Sequence, residues 1–438
     1  MFSIDRKDFG PDFVFGVATA AYQIEGGQKD GRGSSIWDSF SATPGNVHNG
    51  DTGLNACDHY ERWAEDLDLI RDGGFDAYRF SFAWPRLIPE GTGAINQSGL
   101  DFYDRLIDGM LERGLKPYAT LYHWDLPSAL QDKGGWMNRD IAGWLGDYAS
   151  LIGDRFGNRL HATATINEPW CVAFLSHFLG VHAPGYRDIR ATARAMHHVL
   201  LAHGTAIDAL RAEGVKNLGI VLNLEKSEPA TDTPEDIAAT NLGDAMFNRW
   251  YLDGVLKGKY PEDLTTPLAA YLPEGYERDM EIVSRPLDWL GINYYTRGLY
   301  KSAPSRIGFP IEQVQGQLEK TEMGWEIYPQ GLTDLLVRVS TDYTRIPLYI
   351  TENGMAEVEG EADPRRVSYY EEHLKAVLAA RAQGADVRGY FAWSLLDNYE
   401  WAEGYNKRFG LVHVDYQTQQ RTPKASYRAF QGMLHNTR

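Results

Sequence analysis

The chain has 438 residues, 43% hydrophobic and 24% charged, a balance normal for a soluble globular protein and ample for a large core. Its net charge of −17 argues against a nucleic-acid or anionic-membrane surface, since both favour excess Lys and Arg. No run approaches the ~18 apolar residues of a membrane span, Met1–Gly10 has no signal-peptide core, and two cysteines, Cys57 and Cys171, make no disulfide framework. A reducing cytoplasm is therefore the expected setting.

Short apolar runs rich in β-branched and aromatic residues recur along the chain. They fall at Phe13–Ala20, Asp76–Phe82, Lys116–Tyr122, Ala162–Ile166, Leu218–Leu224, Asp288–Asn293, Pro347–Thr351 and Arg388–Trp393. Near-continuous apolar character over so few residues predicts strands buried on both faces, as in a parallel sheet. Helical patterns lie between them. Trp63, Leu67 and Ile70 share one face and stop at Gly73-Gly74. Phe102, Leu106, Ile107, Met110 and Leu111 form another face behind Ser98, with Gly114 as the stop. Further helices are predicted over 141–156, 191–213, 234–256, 331–341, 365–383 and 423–435. Strands alternating with helices in this way predict a single (β/α)8 barrel spanning residues 1–438, with long loops after strands 1, 6 and 8 walling a pocket. An open doubly wound sheet would carry Gly-x-Gly-x-x-Gly after its first strand, and none is present.

Catalytic groups of such barrels sit where strands end. The predicted exits present Arg79 with Trp84, His123-Trp124, Asn167-Glu168, Asn223, Asn293 with Tyr295, Glu352-Asn353 and Trp393. Glu168 and Glu352 end strands 4 and 7, across the barrel from one another. Glycoside hydrolysis uses one protonated and one ionised carboxyl on opposite faces of a sugar, and a separation of about 5–5.5 Å fits retention of configuration. A charged Glu352 needs nearby donors, and Arg79 on strand 2 is the candidate. A structural ion pair is the plainer account of that arginine. The aromatic content of 12% fits core packing and sugar platforms equally well.

Thr165-Ile166-Asn167-Glu168-Pro169 and Ile350-Thr351-Glu352-Asn353-Gly354 resemble the motifs of glycoside hydrolase family 1, which contains many β-glucosidases. Residues 15–26, 79–86, 121–127, 291–295 and 393–401 resemble its remaining motifs in the same order. The resemblance implies Glu168 as acid/base and Glu352 as nucleophile, with Arg79, Asn293 and Tyr295 supporting. It implies Gln23, His123, Trp124, Asn167, Glu400 and Trp401 around the nonreducing sugar, Trp393 as its stacking floor, and a cis peptide between Trp393 and Ser394. Cys171, Asn223, Trp325 and Phe409, with Val172 and His182, are expected to border the leaving-group side, where packing roles compete. Glu400 disfavours 6-phosphorylated sugars, because a carboxylate repels phosphate and pairs instead with neutral hydroxyls.

The implied activity is hydrolysis, by double displacement, of terminal β-D-glucosyl residues from cello-oligosaccharides or aryl and alkyl β-glucosides, without a cofactor. Broad β-glucosidase, β-galactosidase and β-fucosidase activity, and transglycosylation, share this chemistry. A noncatalytic sugar-binding relative would lack one of the two glutamates. The histidines lack His-Glu-x-x-His or any other metal-ligand spacing, no Gly-x-Ser-x-Gly elbow is present, and Gly31–Ser35 lacks a P-loop lysine. The expected partner is a small β-glycoside rather than nucleic acid or membrane, and a homo-oligomer is left open.

Overall fold

In the computed structural model, which describes residues 1–27, 29–304, 309–357 and 360–435, all eight predicted strands form. They are β1 (Val14–Ala18), β2 (Ala77–Ser81), β3 (Lys116–Tyr122), β4 (Ala162–Asn167), β5 (Leu218–Asn223), β6 (Trp289–Asn293), β7 (Leu348–Asn353) and β8 (Val387–Trp393). The strands close into a barrel in the order β1-β8-β7-β6-β5-β4-β3-β2, with every neighbouring pair parallel. Nearly every strand residue is buried, because side chains facing inward fill the barrel and those facing outward meet the helices.

Helices stand at His59–Asp72, Gln97–Glu112, Ile141–Phe156, Ile189–Ala212, Pro329–Asp342, Pro364–Ala382 and Ala425–His435. The first ends as its glycines predict, with Gly74 at φ +79°. The span expected as one helix over 234–256 is interrupted. Pro234–Asp244 and Trp250–Lys257 are α-helical, and Ala245–Arg249 between them widens into a π turn. The last helix begins at Ala425 rather than Pro423, because Arg421–Pro423 pairs as a short antiparallel strand with Val412–Val414. Proline is tolerated on such an edge, where no ladder N–H is required.

The long loops carry structure that periodicity does not announce. Lys226–Pro229, Arg297–Ser302 and Ile311–Val314 form a three-stranded sheet beside the barrel mouth. A second π-helical segment, Cys171–Phe178, follows β4 almost at once. Gly354 lets the chain leaving β7 lie against β8: a Cβ there would sit 1.8 Å from the Trp393 carbonyl oxygen. No helix among the described residues is long and apolar enough to cross a membrane.

Candidate active site

β4 and β7 are separated by β5 and β6 on one side and by β3, β2, β1 and β8 on the other, so their ends face each other over the mouth. Both lose regular register where their glutamates emerge. The β4–β5 pairing shifts between Ala164 and Asn167, and the β7–β6 pairing shifts between Ile350 and Glu352. Such irregularities re-aim side chains at barrel rims. β7 also runs past its predicted end at Thr351, so Glu352 belongs to the ladder itself.

Glu168, Glu352, His123, Trp124, Cys171, Asn223, Asn293, Tyr295, Trp325, Trp393, Glu400, Trp401 and Phe409 line one cavity of about 380 Å³. Gln23, Arg79 and Asn167 are buried beside that wall and hydrogen-bond to Glu400, Glu352 and His123 in it. Arg79 is buried, with one guanidinium nitrogen 2.6 Å from Glu352 Oε1 and the other 2.6 Å from Asn167 Oδ1. Tyr295 donates to Glu352 Oε2 at 2.7 Å. Asn293 Nδ2 donates to Glu168 Oε1 at 2.5 Å and to Asn167 Oδ1 at 3.1 Å, while the Cys171 thiol donates to Glu168 Oε2 at 2.9 Å. Asn167 is thus a hub. Its carbonyl oxygen accepts from Arg79 and Asn293, and its Nδ2 donates to His123 Nε2 at 3.1 Å.

These partners place the two carboxyls in opposite electrostatic settings. Burial, then the charge of Glu352, pushes the Glu168 pKa from the ordinary 4.5 to about 8; Asn293, Cys171 and Arg79 oppose the rise without cancelling it. Burial also pushes Glu352 up, but the Arg79 charge and donation from Tyr295 act directly against that. Glu352 thus has an opposite charge in direct contact and Glu168 has none, an arrangement that favours the proton on Glu168 and the negative charge on Glu352. Burial, followed by the charges of Glu352 and Glu168, raises Glu400 to about 8 as well. Burial and Arg79 keep His123 a neutral imidazole.

The rest of the wall suits a sugar. Trp393 stacks with His123 at 5.9 Å, and the Trp393–Ser394 peptide is cis as the motif resemblance implies. Trp401 packs 4.7 Å from both Trp37 and Trp124. Gln23 donates to Asn398, to the Tyr399 carbonyl and, at 3.4 Å, to Glu400. Its carbonyl oxygen has no partner, and neither does His123 Nδ1. Glu168, Trp124 and Trp401 all hold positive φ, at +50°, +80° and +48°. Non-glycine residues rarely adopt that region, and such strain concentrates at functional sites.

Among the residues expected to border the leaving group, Trp325 lies 5.3 Å from Tyr295 and 6.2 Å from Phe409, and His182 packs 5.4 Å from Trp124. Val172 is buried and does not line the cavity. Sequence reasoning missed Trp170, Leu175, Glu225, Phe247 and Met323, which do. Trp170 was legible, two residues after Glu168. Phe247 was not: the π turn at Ala245–Arg249 swings it into the wall, 4.3 Å from the Trp170 ring. The buried histidines serve internal bonds: His203 to Thr165 at 2.6 Å, His177 to the Val172 carbonyl at 2.7 Å and His197 to Asp279 at 2.9 Å.

A parallel barrel whose mouth brings two buried glutamates to one aromatic cavity, one of them held by an arginine, is the arrangement of a glycoside hydrolase. The sequence pattern described as Glycosyl hydrolase family 1 matches residues 5–438. The chain is 48% identical over 444 residues to Beta-glucosidase A of Thermotoga maritima, covering 98% of both chains. It is 49% identical over 431 residues to a Beta-glucosidase of Agrobacterium sp., covering 95% of this chain and 93% of that one. The solved structure of the family 1 β-glucosidase from Thermotoga maritima in complex with isofagomine lactam superposes with a TM-score of 0.95 at 47% identity, over 98% of each chain. This chain belongs to glycosyl hydrolase family 1.

Proposed function

We propose that this protein is a retaining β-glucosidase that removes terminal nonreducing β-D-glucosyl residues from cello-oligosaccharides and from aryl or alkyl β-glucosides. Glu352 attacks the anomeric carbon as Glu168 gives its proton to the departing oxygen, leaving a glycosyl-enzyme and a carboxylate on residue 168. That carboxylate then takes a proton from water, which releases glucose and restores both groups. The observation that carries this reading is the unequal setting of the two buried carboxyls, Glu352 bonded to Arg79 and Tyr295 and Glu168 bonded only to the uncharged Asn293 and Cys171.

Gln23, His123, Asn167, Glu400 and Trp401 would hold the sugar hydroxyls over Trp393, and Asn223, Trp325, Phe409 and Cys171 would border the leaving group. An unphosphorylated sugar is favoured, because Glu400 stands beside two further carboxyls. In this reading residues 1–438 work as one catalytic domain, and the free, buried thiols of Cys57 and Cys171 suit a reducing cytoplasm.

The test is chemical rescue. Glu352→Ala should lose hydrolysis of nitrophenyl β-glucoside, and added azide should restore turnover with an α-glucosyl azide as product. Undiminished hydrolysis by that variant would remove Glu352 from the mechanism. Rates of the native enzyme on nitrophenyl β-glucoside, β-galactoside, β-fucoside and 6-phospho-β-glucoside rank the sugar preference, and dominance of the phosphorylated substrate would contradict the role given to Glu400.

A further inference from the structure

A second cavity, of about 670 Å³, shares no lining residue with the catalytic one. It opens between the turn after β3, the first turns of helix Ile189–Ala212 and the loop at residues 273–279. Three arginines and a histidine from these segments meet there: Arg139, Arg194, Arg278 and His198. In a chain of net charge −17, three arginines around one cavity need an account.

Internal pairing accounts for only one of the arginines. Arg139 forks onto buried Asp279, which also accepts from His197 Nε2 at 2.9 Å. Both oxygens of that carboxylate are therefore bonded. Arg194 and Arg278 form no ion pair among the described residues, and Arg194 Nε has no hydrogen-bond partner. Glu274 is the other carboxylate in the wall, and it is exposed.

His198 decides which anion fits. It is buried, and its Nδ1 lies 3.0 Å from the Trp136 carbonyl oxygen. A carbonyl can only accept, so Nδ1 carries the ring proton and Nε2, which has no partner, presents a lone pair. Burial, together with His197, Arg139 and Arg194, pushes the ring down to about 4 and keeps it neutral. The cavity thus offers guanidinium donors for anionic oxygens and one acceptor for a hydroxyl on the same ligand. Hydrogen phosphate has both features. Sulfate has the oxygens and lacks the proton.

We propose that this cavity binds a protonated phosphoryl group, with its oxygens on Arg194 and Arg278 and its P–OH directed at His198 Nε2. Arginine forks match the geometry of such oxygens. Free phosphate and the terminal phosphoryl group of a small molecule share this chemistry.

Isothermal titration of the intact protein at about pH 5.5 and constant ionic strength, where inorganic phosphate and methyl phosphate both keep a P–OH, tests it, with these two and sulfate as the probes. The expected result is one phosphate site per chain, weakened about tenfold in Arg278→Gln and binding sulfate about tenfold less tightly. Arg278 is exposed, so its replacement leaves the core intact. Tighter binding of methyl phosphate assigns a phosphorylated small molecule, and tighter binding of inorganic phosphate assigns the free ion. No saturable heat up to about 20 mM, unchanged affinity in Arg278→Gln, or sulfate bound as tightly as phosphate would each overturn the assignment.

Discussion

Replacing Glu352 by Gln removes one negative charge from the catalytic cavity with little change of shape, and the proton on Glu168 should respond. The charge of Glu352 stands second to burial among the causes that lift Glu168 to about 8. At the separation expected of a retaining pair, about 5.5 Å, and an effective dielectric constant of about 20, two carboxylates repel by about 3 kcal/mol, or about two pH units. The Glu168 midpoint should therefore fall to about 6 in Glu352→Gln. It should not return to 4.5, because burial remains. Arg79, freed from its carboxylate partner, acts in the same direction. Carbon-13 NMR titration of labelled glutamate side chains reads the midpoint, with Glu168→Gln assigning the resonance. A midpoint that stays at 8 or rises would show that the two carboxyls do not share a proton, and the division of roles between them would fail.

Tyr295→Phe removes the phenolic donor to Glu352 at 2.7 Å and should lower kcat/KM about 10- to 100-fold, the worth of one hydrogen bond to a charge; an unchanged value would mean the contact is passive. Glu168→Gln should raise Tm more at pH 8 than at pH 5. A carboxyl whose folded pKa is raised favours folding at low pH, and its contribution is lost as pH climbs from 4.5 through about 8. An equal gain at both pH values would contradict that linkage. Gly204→Ala places a Cβ 1.8 Å from the Ile282 carbonyl oxygen, between helix Ile189–Ala212 and its neighbour, and should cost about 3 kcal/mol or more by denaturant titration; wild-type stability would show that the packing yields easily.

Strand positions were legible because strands buried on both faces read as short apolar runs bounded by polar groups, and β3 was placed to the residue. The exits were legible for the same reason: Asn167-Glu168 and Glu352-Asn353 break their runs with charge where a barrel opens. The π turns were not, since Ala245–Arg249 continues a helical run, and its widening and the contact of Phe247 with Trp170 appear only in the structure. The anion-fitting cavity was equally hidden, because Arg139, Arg194 and Arg278 belong to segments far apart in the chain.

Local pattern therefore determined the barrel, its order of elements and the chemical types gathered at its mouth, since each of these follows from side chains a few residues apart. The motif resemblance implied which glutamate has which role, but the unequal surroundings that would cause it appear only in three dimensions. Charge–charge coupling, burial and the contacts of Arg79, Tyr295, Asn293 and Cys171 depend on distances between strands, and no local run of residues encodes those.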